Sequence, residues 1–173
     1  PKHSGRICSL PETILKLKAD EQIKSVYQHK DTIKIQTESI ICGHSNLGEY
    51  DITIDTEKKY YKITRIKGRI NRYHHPFFTG GGEHHSIGCF GNQEAVMSRA
   101  WSHKDWYGVT LLILELLQCS SPEKGGRAHC SISNFKKKAR EQNKIEVASN
   151  EVEADEETIN AIPATTTSTT SLT

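Results

Sequence analysis

Three segments decide the fold predicted for this chain: TIKIQTESII (residues 32–41), EYDITIDTE (residues 49–57) and YYKITRIKGRI (residues 60–70). Apolar side chains alternate with polar ones along each of them, which is the two-residue period of a β-strand. The stretches that separate them, residues 42–48 and 56–59, are polar or contain glycine and are typical of turns. The pattern therefore predicts an antiparallel meander of three strands with one buried face.

Helices are predicted on both sides of this meander. Residues 10–29 (LPETILKLKADEQIKSVYQH) have a loosely helical spacing of apolar residues, and Pro11 suits a first helical turn. Residues 105–118 (DWYGVTLLILELLQ) are apolar on nearly every side but too short to span a bilayer, so we expect a helix buried against the sheet. No clear period is visible in residues 92–105. The expected class is α+β, a small antiparallel sheet with helices on one face.

Length and composition fit one domain followed by polar segments. Of the 173 residues, 35% are apolar, and the formal charge of +2 is too small to indicate nucleic acid or an anionic membrane by itself. We expect the α+β domain in residues 1–126, a basic polar helix in 127–148, and an acidic, then Thr/Ser-rich, disordered tail in 149–173. No apolar run is long enough for a membrane span, so no membrane partner is expected. The start of the chain lacks an initiator Met and a signal region, which indicates processing or a fragment.

The basic cluster of the predicted polar helix, Lys136–Arg140, has one neighbouring aromatic residue, Phe135. Single-stranded nucleic acid is usually bound by several aromatic side chains interleaved with basic ones. A solvated helix face is therefore the favoured interpretation, and nucleic acid is not an expected partner.

The cysteines favour a reducing compartment. Their number is odd and no CxxC spacing occurs, so neither a disulfide framework nor a zinc ribbon is indicated. We expect reduced thiols in a cytoplasmic protein. The five are Cys8, Cys42, Cys89, Cys119 and Cys130.

Residues 74–91, HHPFFTGGGEHHSIGCFG, concentrate the chemically active side chains. Cys89 lies between Gly88 and the Phe90–Gly91 pair, and glycine permits tight turns and close backbone approach. The thiol is therefore expected on a tight turn outside regular structure. For an isolated cysteine, a small buried residue is the ordinary interpretation.

The order of these parts resembles the ubiquitin-conjugating enzyme fold. The resemblance covers roughly residues 32–124 and rests on order and short motifs. LGEYDITID (47–55) is similar to the family's strand that begins at a glycine, and His75-Pro76 is similar to the first two residues of its His-Pro-Asn motif. IGCFG (87–91) is similar to the run around its active-site thiol. Trp101-Ser102 is similar to its Trp-Ser pair, and LLILELLQCSSPE (111–123) is similar to the following helix with a proline turn.

This resemblance implies a carrier enzyme that accepts a ubiquitin-like protein from its activating enzyme as a thioester on Cys89. The carrier then passes to an amine of a protein substrate. Phe77 stands where the family has the Asn that supports the oxyanion, and the gap from Pro76 to Cys89 is longer than usual. Asn92 and His84 or His85 are candidates to replace that Asn. A neutral imidazole can also serve as a base for the incoming amine. His75 is expected either to take part in catalysis or to hydrogen-bond the backbone of its loop.

Two other interpretations stay open. Without the oxyanion side chain, the same fold serves as an inactive binding module or as a structural subunit of a larger assembly. No cofactor is expected for either version. A third interpretation is an interaction domain stabilised by zinc, with tetrahedral N and S ligands from His74, His84, His85 and Cys89.

Overall fold

The computed structural model describes residues 9–58, 60–70, 72–79, 87–119 and 128–143 of the chain. Its elements follow one another as α1 (Leu10–Lys18), β1 (Ile23–His29), β2 (Thr32–Thr37), β3 (Ile40–Cys42), β4 (Ser45–Gly48), β5 (Tyr50–Asp55), β6 (Tyr60–Arg65), β7 (Phe78–Thr79), β8 (Ile87–Gly88), a 3-10 turn (Gly91–Gln93), α2 (Glu94–Ser102), α3 (Trp106–Gln118) and α4 (residues 132–143).

The main sheet is antiparallel with strand order β1-β2-β5-β6, and two small hairpins, β3-β4 and β7-β8, accompany it. Ile35 pairs with Ile52 and Ile52 with Ile63, and each of the three side chains is at most 1% exposed. On the other face, Lys34 and Asp51 are exposed. The predicted meander with one buried face is confirmed, and so is the α+β class with a small antiparallel sheet.

The predicted helix over residues 10–29 is right only in its first half. Ser9 caps α1 by accepting a hydrogen bond from the Glu12 N–H, and the helix ends at Lys18. A turn follows in which the Asp20 carboxylate accepts from the Gln22 N–H at 3.0 Å. Residues 23–29 then form β1, because pairing with β2 outweighs a weak helical spacing.

The predicted strand over 32–41 and the predicted turn over 42–48 also need correction. The chain leaves β2 at Thr37, whose hydroxyl accepts from the Tyr50 N–H at 3.0 Å and donates to the Glu38 carbonyl at 2.7 Å. Residues 40–48 then form the β3-β4 hairpin, with Gly43 at a positive φ of 63° in its turn. Leu47 explains the second strand, because its side chain is buried to 1% exposure in the core.

Residues 92–105, which show no clear sequence period, contain the helix α2. Its single buried residue is Met97, so the apolar stripe is too narrow to recognise. The predicted helix over 105–118 is confirmed as α3, capped by the Asp105 carboxylate, which accepts from the Gly108 N–H at 3.0 Å. None of the helices in the described ranges is long and apolar enough to cross a membrane.

The predicted basic helix of residues 127–148 is present over 132–143 as α4, but it is not simply exposed. Phe135 and Ala139, one turn apart, are 1% and 0% exposed and belong to the core. The basic residues therefore occupy only the outer face of a packed helix. The predicted tail, residues 149–173, lies outside the described residues, and the boundary predicted at 126 stays a prediction.

Arg65 at the end of β6 connects several of these elements. Its side chain is fully buried, and its Nε donates to the Leu47 carbonyl of β4 at 2.5 Å. Its Nη1 donates to the Gly68 carbonyl at 3.2 Å and to the Gln142 Oε1 of α4 at 2.6 Å. A buried cation is tolerated only when polar atoms replace its hydration shell, and here β4, the loop after β6 and α4 do so.

We expect Arg65→Lys to destabilise the fold by about 3 kcal/mol, because an ammonium group does not reproduce the guanidinium fork that reaches all three acceptors. The measurement is the free energy of unfolding in urea. Arg99→Lys, at an exposed position of α2, is the matched control and should change stability by less than about 0.5 kcal/mol. Equal effects of the two substitutions would contradict the role of Arg65.

Candidate functional site

Cys89 lies just after β8, outside regular structure, as its glycine neighbours predict. Its side chain is half-buried, and its main-chain N–H donates to the Phe77 carbonyl at 3.0 Å. This bond extends the β7-β8 pairing, in which Phe78 faces Gly88. The hairpin therefore brings the thiol residue beside the loop that contains His75 and Pro76.

Gly88 is enclosed by aromatic side chains, and here the structure requires glycine for space. A Cβ at this position would lie 2.7 Å from Phe78 Cε1, 2.8 Å from Phe90 Cε2 and 2.9 Å from the Tyr61 hydroxyl oxygen. Real Cβ atoms do not approach other heavy atoms so closely. The absence of a side chain lets β8 lie against the aromatic cluster, by which we mean Tyr61, Phe78, Phe90, Trp101 and Trp106.

Tyr61 of β6 connects this cluster to the thiol residue. Its hydroxyl accepts a hydrogen bond from the Gly88 N–H at 2.8 Å. Burial raises the pKa of Tyr61 to about 12, and the Gly88 N–H acts in the opposite direction. The sequence pattern identifies Tyr61 only as an alternating core position, and nothing in it signals the contact with Gly88.

His75 is fully buried, and both of its ring nitrogens contact main-chain groups. Nε2 lies 2.9 Å from the Leu117 carbonyl, and Nδ1 accepts from the Phe77 N–H at 3.3 Å. A carbonyl only accepts, so the ring is neutral and carries its proton on Nε2. Burial lowers the pKa of His75 to about 3, an effect that the Leu117 carbonyl opposes and the positive charge of Lys136 reinforces. These contacts favour the backbone-supporting role over acid–base catalysis.

His74, the preceding residue, is half-buried. Its Nδ1 lies 3.0 Å from the Arg65 main-chain nitrogen and its Nε2 lies 3.0 Å from the Nε of Arg69. Burial lowers the pKa of His74 to about 4, and the positive charges of Arg69, Lys62 and Arg65 contribute in the same direction. The imidazole is therefore neutral at pH 7.

Phe77 and Asn92 bear on how an oxyanion would be stabilised near Cys89. Phe77 is fully buried, and its main chain bonds both His75 and Cys89. Its side chain therefore faces the core rather than solvent at the thiol. Asn92 is exposed in the 3-10 turn, three residues after Cys89. His84 and His85, the other sequence candidates, lie outside the described residues.

The predicted zinc set is only half within the described ranges, as His74 and Cys89. In those ranges no group of three His, Cys, Asp or Glu side chains is arranged to hold a metal ion. Both nitrogens of the His74 ring also contact nitrogen atoms of Arg65 and Arg69. A metal ion bound by His74 would have to displace one of these two contacts. The zinc set stays a prediction that depends on His84 and His85.

Of the other described cysteines, Cys42 and Cys119 are buried and Cys130 is half-buried, and none forms a disulfide. Cys42 is 2% exposed and its thiol donates to the Cys119 carbonyl at 2.9 Å. Burial raises the pKa of the thiols of Cys42 and Cys130. These thiols are therefore poor nucleophiles at neutral pH. Cys8 lies outside the described residues.

Comparisons with protein-family models, with characterised proteins and with solved structures gave no match.

We expect Gly88→Ala to destabilise the protein by about 2 kcal/mol, because the added methyl group must displace Phe78, Phe90 or Tyr61 from a packed cluster. Gly68→Ala is the control: it has a positive φ of 81° but no atom within 4 Å of its would-be Cβ. That control should cost about 1 kcal/mol through backbone strain alone. Urea unfolding measures both, and a smaller effect at Gly88 than at Gly68 would contradict the packing argument.

We expect the free energy of unfolding to fall as the pH drops below about 6.5, the ordinary pKa of histidine. The unfolded chain takes up protons there, whereas folded His74 and His75 resist protonation until about pH 4 and about pH 3. Each excluded proton contributes a slope of up to about 1.4 kcal/mol per pH unit in that window.

The test compares urea unfolding at several pH values for the native chain, for His75→Gln and for His29→Gln, which changes an exposed histidine. His75→Gln should flatten the slope by about one proton, and His29→Gln should leave it unchanged. If His75→Gln has the same pH slope as the native chain, the His75 ring is protonated equally in the folded and unfolded states, and the expectation is wrong.

Proposed function

We propose that this chain accepts a ubiquitin-like protein as a thioester on Cys89 and transfers it to an amine of a protein substrate. The observation that carries the proposal is the half-buried thiol at the end of the β7-β8 hairpin, beside the buried His75–Pro76 loop. The helix, meander, hairpin and later helices follow one another along the chain, and this order resembles that of the ubiquitin-conjugating enzyme fold. A reducing compartment such as the cytoplasm would keep the thiol available.

The chemistry consists of two exchanges at one carbonyl carbon. In the first, the Cys89 thiolate attacks the carrier's C-terminal thioester on the activating enzyme. A new carbon–sulfur bond forms, the old one breaks, and the activating enzyme leaves with its own thiolate. In the second, a neutral substrate amine attacks the Cys89 thioester, Cys89 leaves as a thiolate, and the amine nitrogen loses a proton to a base.

The residues around Cys89 have distinct tasks in this proposal. The Tyr61 hydroxyl and the aromatic cluster hold the main chain of Gly88, and the Phe77 carbonyl holds the Cys89 N–H. Asn92, exposed in the adjacent 3-10 turn, is the candidate donor to the oxyanion, because Phe77 offers no polar side chain there. His85 is the candidate base for the incoming amine. His75 acts as a positioning residue through its contacts with Leu117 and Phe77.

A second candidate is an inactive binding or structural module with the same fold. The buried side chain of Phe77 favours it, because the position that resembles the family's oxyanion-supporting Asn carries no donor. In that case the hairpin and Cys89 would serve packing, and the partner would be an assembly subunit. A zinc-stabilised version of the module requires metal in the purified protein, which elemental analysis would detect.

We expect Cys89→Lys to trap the carrier as a stable amide, because a lysine amine at residue 89 would replace the labile thioester by an isopeptide bond. The variant is expressed in the native host, purified under denaturing conditions and digested. Mass spectrometry should then find a branched peptide at residue 89, and its side branch would identify the carrier.

Cys130→Lys is the matched control, because Cys130 is also half-buried but lies before α4, outside the β7-β8 pairing. It should give no branched peptide. If neither variant gives an adduct and native purification still recovers a stoichiometric partner, the inactive module is the correct reading. An adduct at both positions would indicate non-specific modification of lysines.

A further inference from the structure

A cavity of about 300 Å³ lies where the end of α3 meets the start of β1 and the connection from β2 to β3. Gln118 of α3, Glu21 and Gln22 before β1, and residues 38–41 line it. This volume is at the small end of the range for ligand sites. The cavity therefore suits a single side chain better than a large cofactor.

Hydrogen bonds hold the wall of this cavity in place. The Glu38 N–H donates to the Gln22 carbonyl at 2.8 Å, and the Gln118 Nε2 donates to the Gln22 Oε1 at 3.0 Å. The Thr37 hydroxyl, which donates to the Glu38 carbonyl at 2.7 Å, fixes the same connection. The three chain segments are tied together before a ligand arrives, and this lowers the ordering cost of binding.

The charged groups in the described wall are both negative. Glu21 and Glu38 are exposed, and within the described residues neither carboxylate forms a salt bridge. Lys24 is close enough for its charge to interact with Glu38, but its ammonium group is bound by both oxygens of Glu49, at 3.1 and 3.0 Å. The bond to Gln22 also leaves the Gln118 Oε1 as an acceptor.

The apolar part of the wall comes from β3. Ile40 is buried, whereas the neighbouring Ile41 is 51% exposed. An exposed apolar side chain beside two carboxylates gives the cavity two kinds of surface. A long side chain with an aliphatic stem and a cationic head matches both, because such a residue packs its stem on apolar groups and keeps its head among polar ones.

We propose that this cavity binds an arginine side chain of a partner protein. A guanidinium group presents five N–H donors in a planar fork, whereas an ammonium group is a compact charge with three. The fork would serve both glutamates and the Gln118 Oε1, and the stem would lie on Ile41. The site goes beyond the proposed transfer and does not depend on it, since no residue of the cavity has a task at Cys89.

An arginine within a protein chain fits this wall better than the free amino acid. The α-carboxylate of free arginine would come close to Glu21 and Glu38, and no Lys, Arg or His belongs to the described wall to offset the repulsion. A residue in the middle of a chain carries no such charge.

The test titrates the ¹⁵N-labelled full chain with N-acetylarginine N-methylamide, a blocked arginine, and follows NMR spectra. The Gln118 side-chain amide and the Ser39 main-chain amide should shift in a saturable way, with a Kd of about 1 mM for a contact made by one side chain. Blocked lysine should bind about threefold more weakly, and blocked glutamine should not bind. Unshifted resonances with blocked arginine, or equal binding of blocked lysine, would overturn the proposal.

Glu21→Gln combined with Glu38→Gln should weaken binding of the blocked arginine about tenfold, because these side chains supply the negative charge of the wall. Asp31→Asn combined with Glu57→Gln is the matched control. It removes the same charge from exposed positions at the other end of the sheet, in the turns after β1 and β5. The control should lose less than about twofold, and an equal loss in both double variants would reduce the effect to general electrostatics and refute the site.

Free L-arginine tests the assignment to a protein partner. It should bind about threefold more weakly than the blocked form, because its α-carboxylate is repelled by the two glutamates. Equal or tighter binding of the free amino acid would contradict a protein partner and assign the cavity to a small molecule.

Discussion

The buried imidazole of His75 is the contact on which the loop around Cys89 depends. Through Nε2 it bonds the Leu117 carbonyl near the end of α3, and through Nδ1 it accepts the Phe77 N–H. The first bond ties the loop to the helical part of the core, and the second fixes the turn that leads into β7. Phe77 in turn offers its carbonyl to the Cys89 N–H. The position of the thiol residue therefore follows from one neutral ring that is kept uncharged by burial.

The second constraint is the space over Gly88. Tyr61, Phe78 and Phe90 approach so closely that no side chain fits there, and the Tyr61 hydroxyl satisfies the Gly88 N–H. A main chain held in place beside a half-buried cysteine would suit a covalent carrier, because the thiol is already positioned when the partner arrives. The same platform would suit a binding module, which is why the trapping experiment and not the geometry decides between the two.

Arg65 and His74 connect this loop to β4 and α4. Arg65 links β6 to β4 and α4 through its side chain and to His74 through its main chain. The buried cation and the neutral ring are thus neighbours, and the Arg69 side chain contacts the second nitrogen of the ring at 3.0 Å.

The amino-acid sequence by itself determined the class and the meander, because alternation along β2, β5 and β6 depends only on which face of each strand is buried. The capped apolar helix α3 and the position of Cys89 outside regular structure were readable for the same local reason. Strand β1, the β3-β4 hairpin and helix α2 were not, since their apolar residues are few and their structure depends on partners distant in the chain. Only the tertiary structure decided that both His75 nitrogens are engaged, that Tyr61 holds Gly88 and that His74 lies between Arg65 and Arg69. Each of these contacts joins residues whose distance in space is set by strand pairing and helix packing, which no local pattern records.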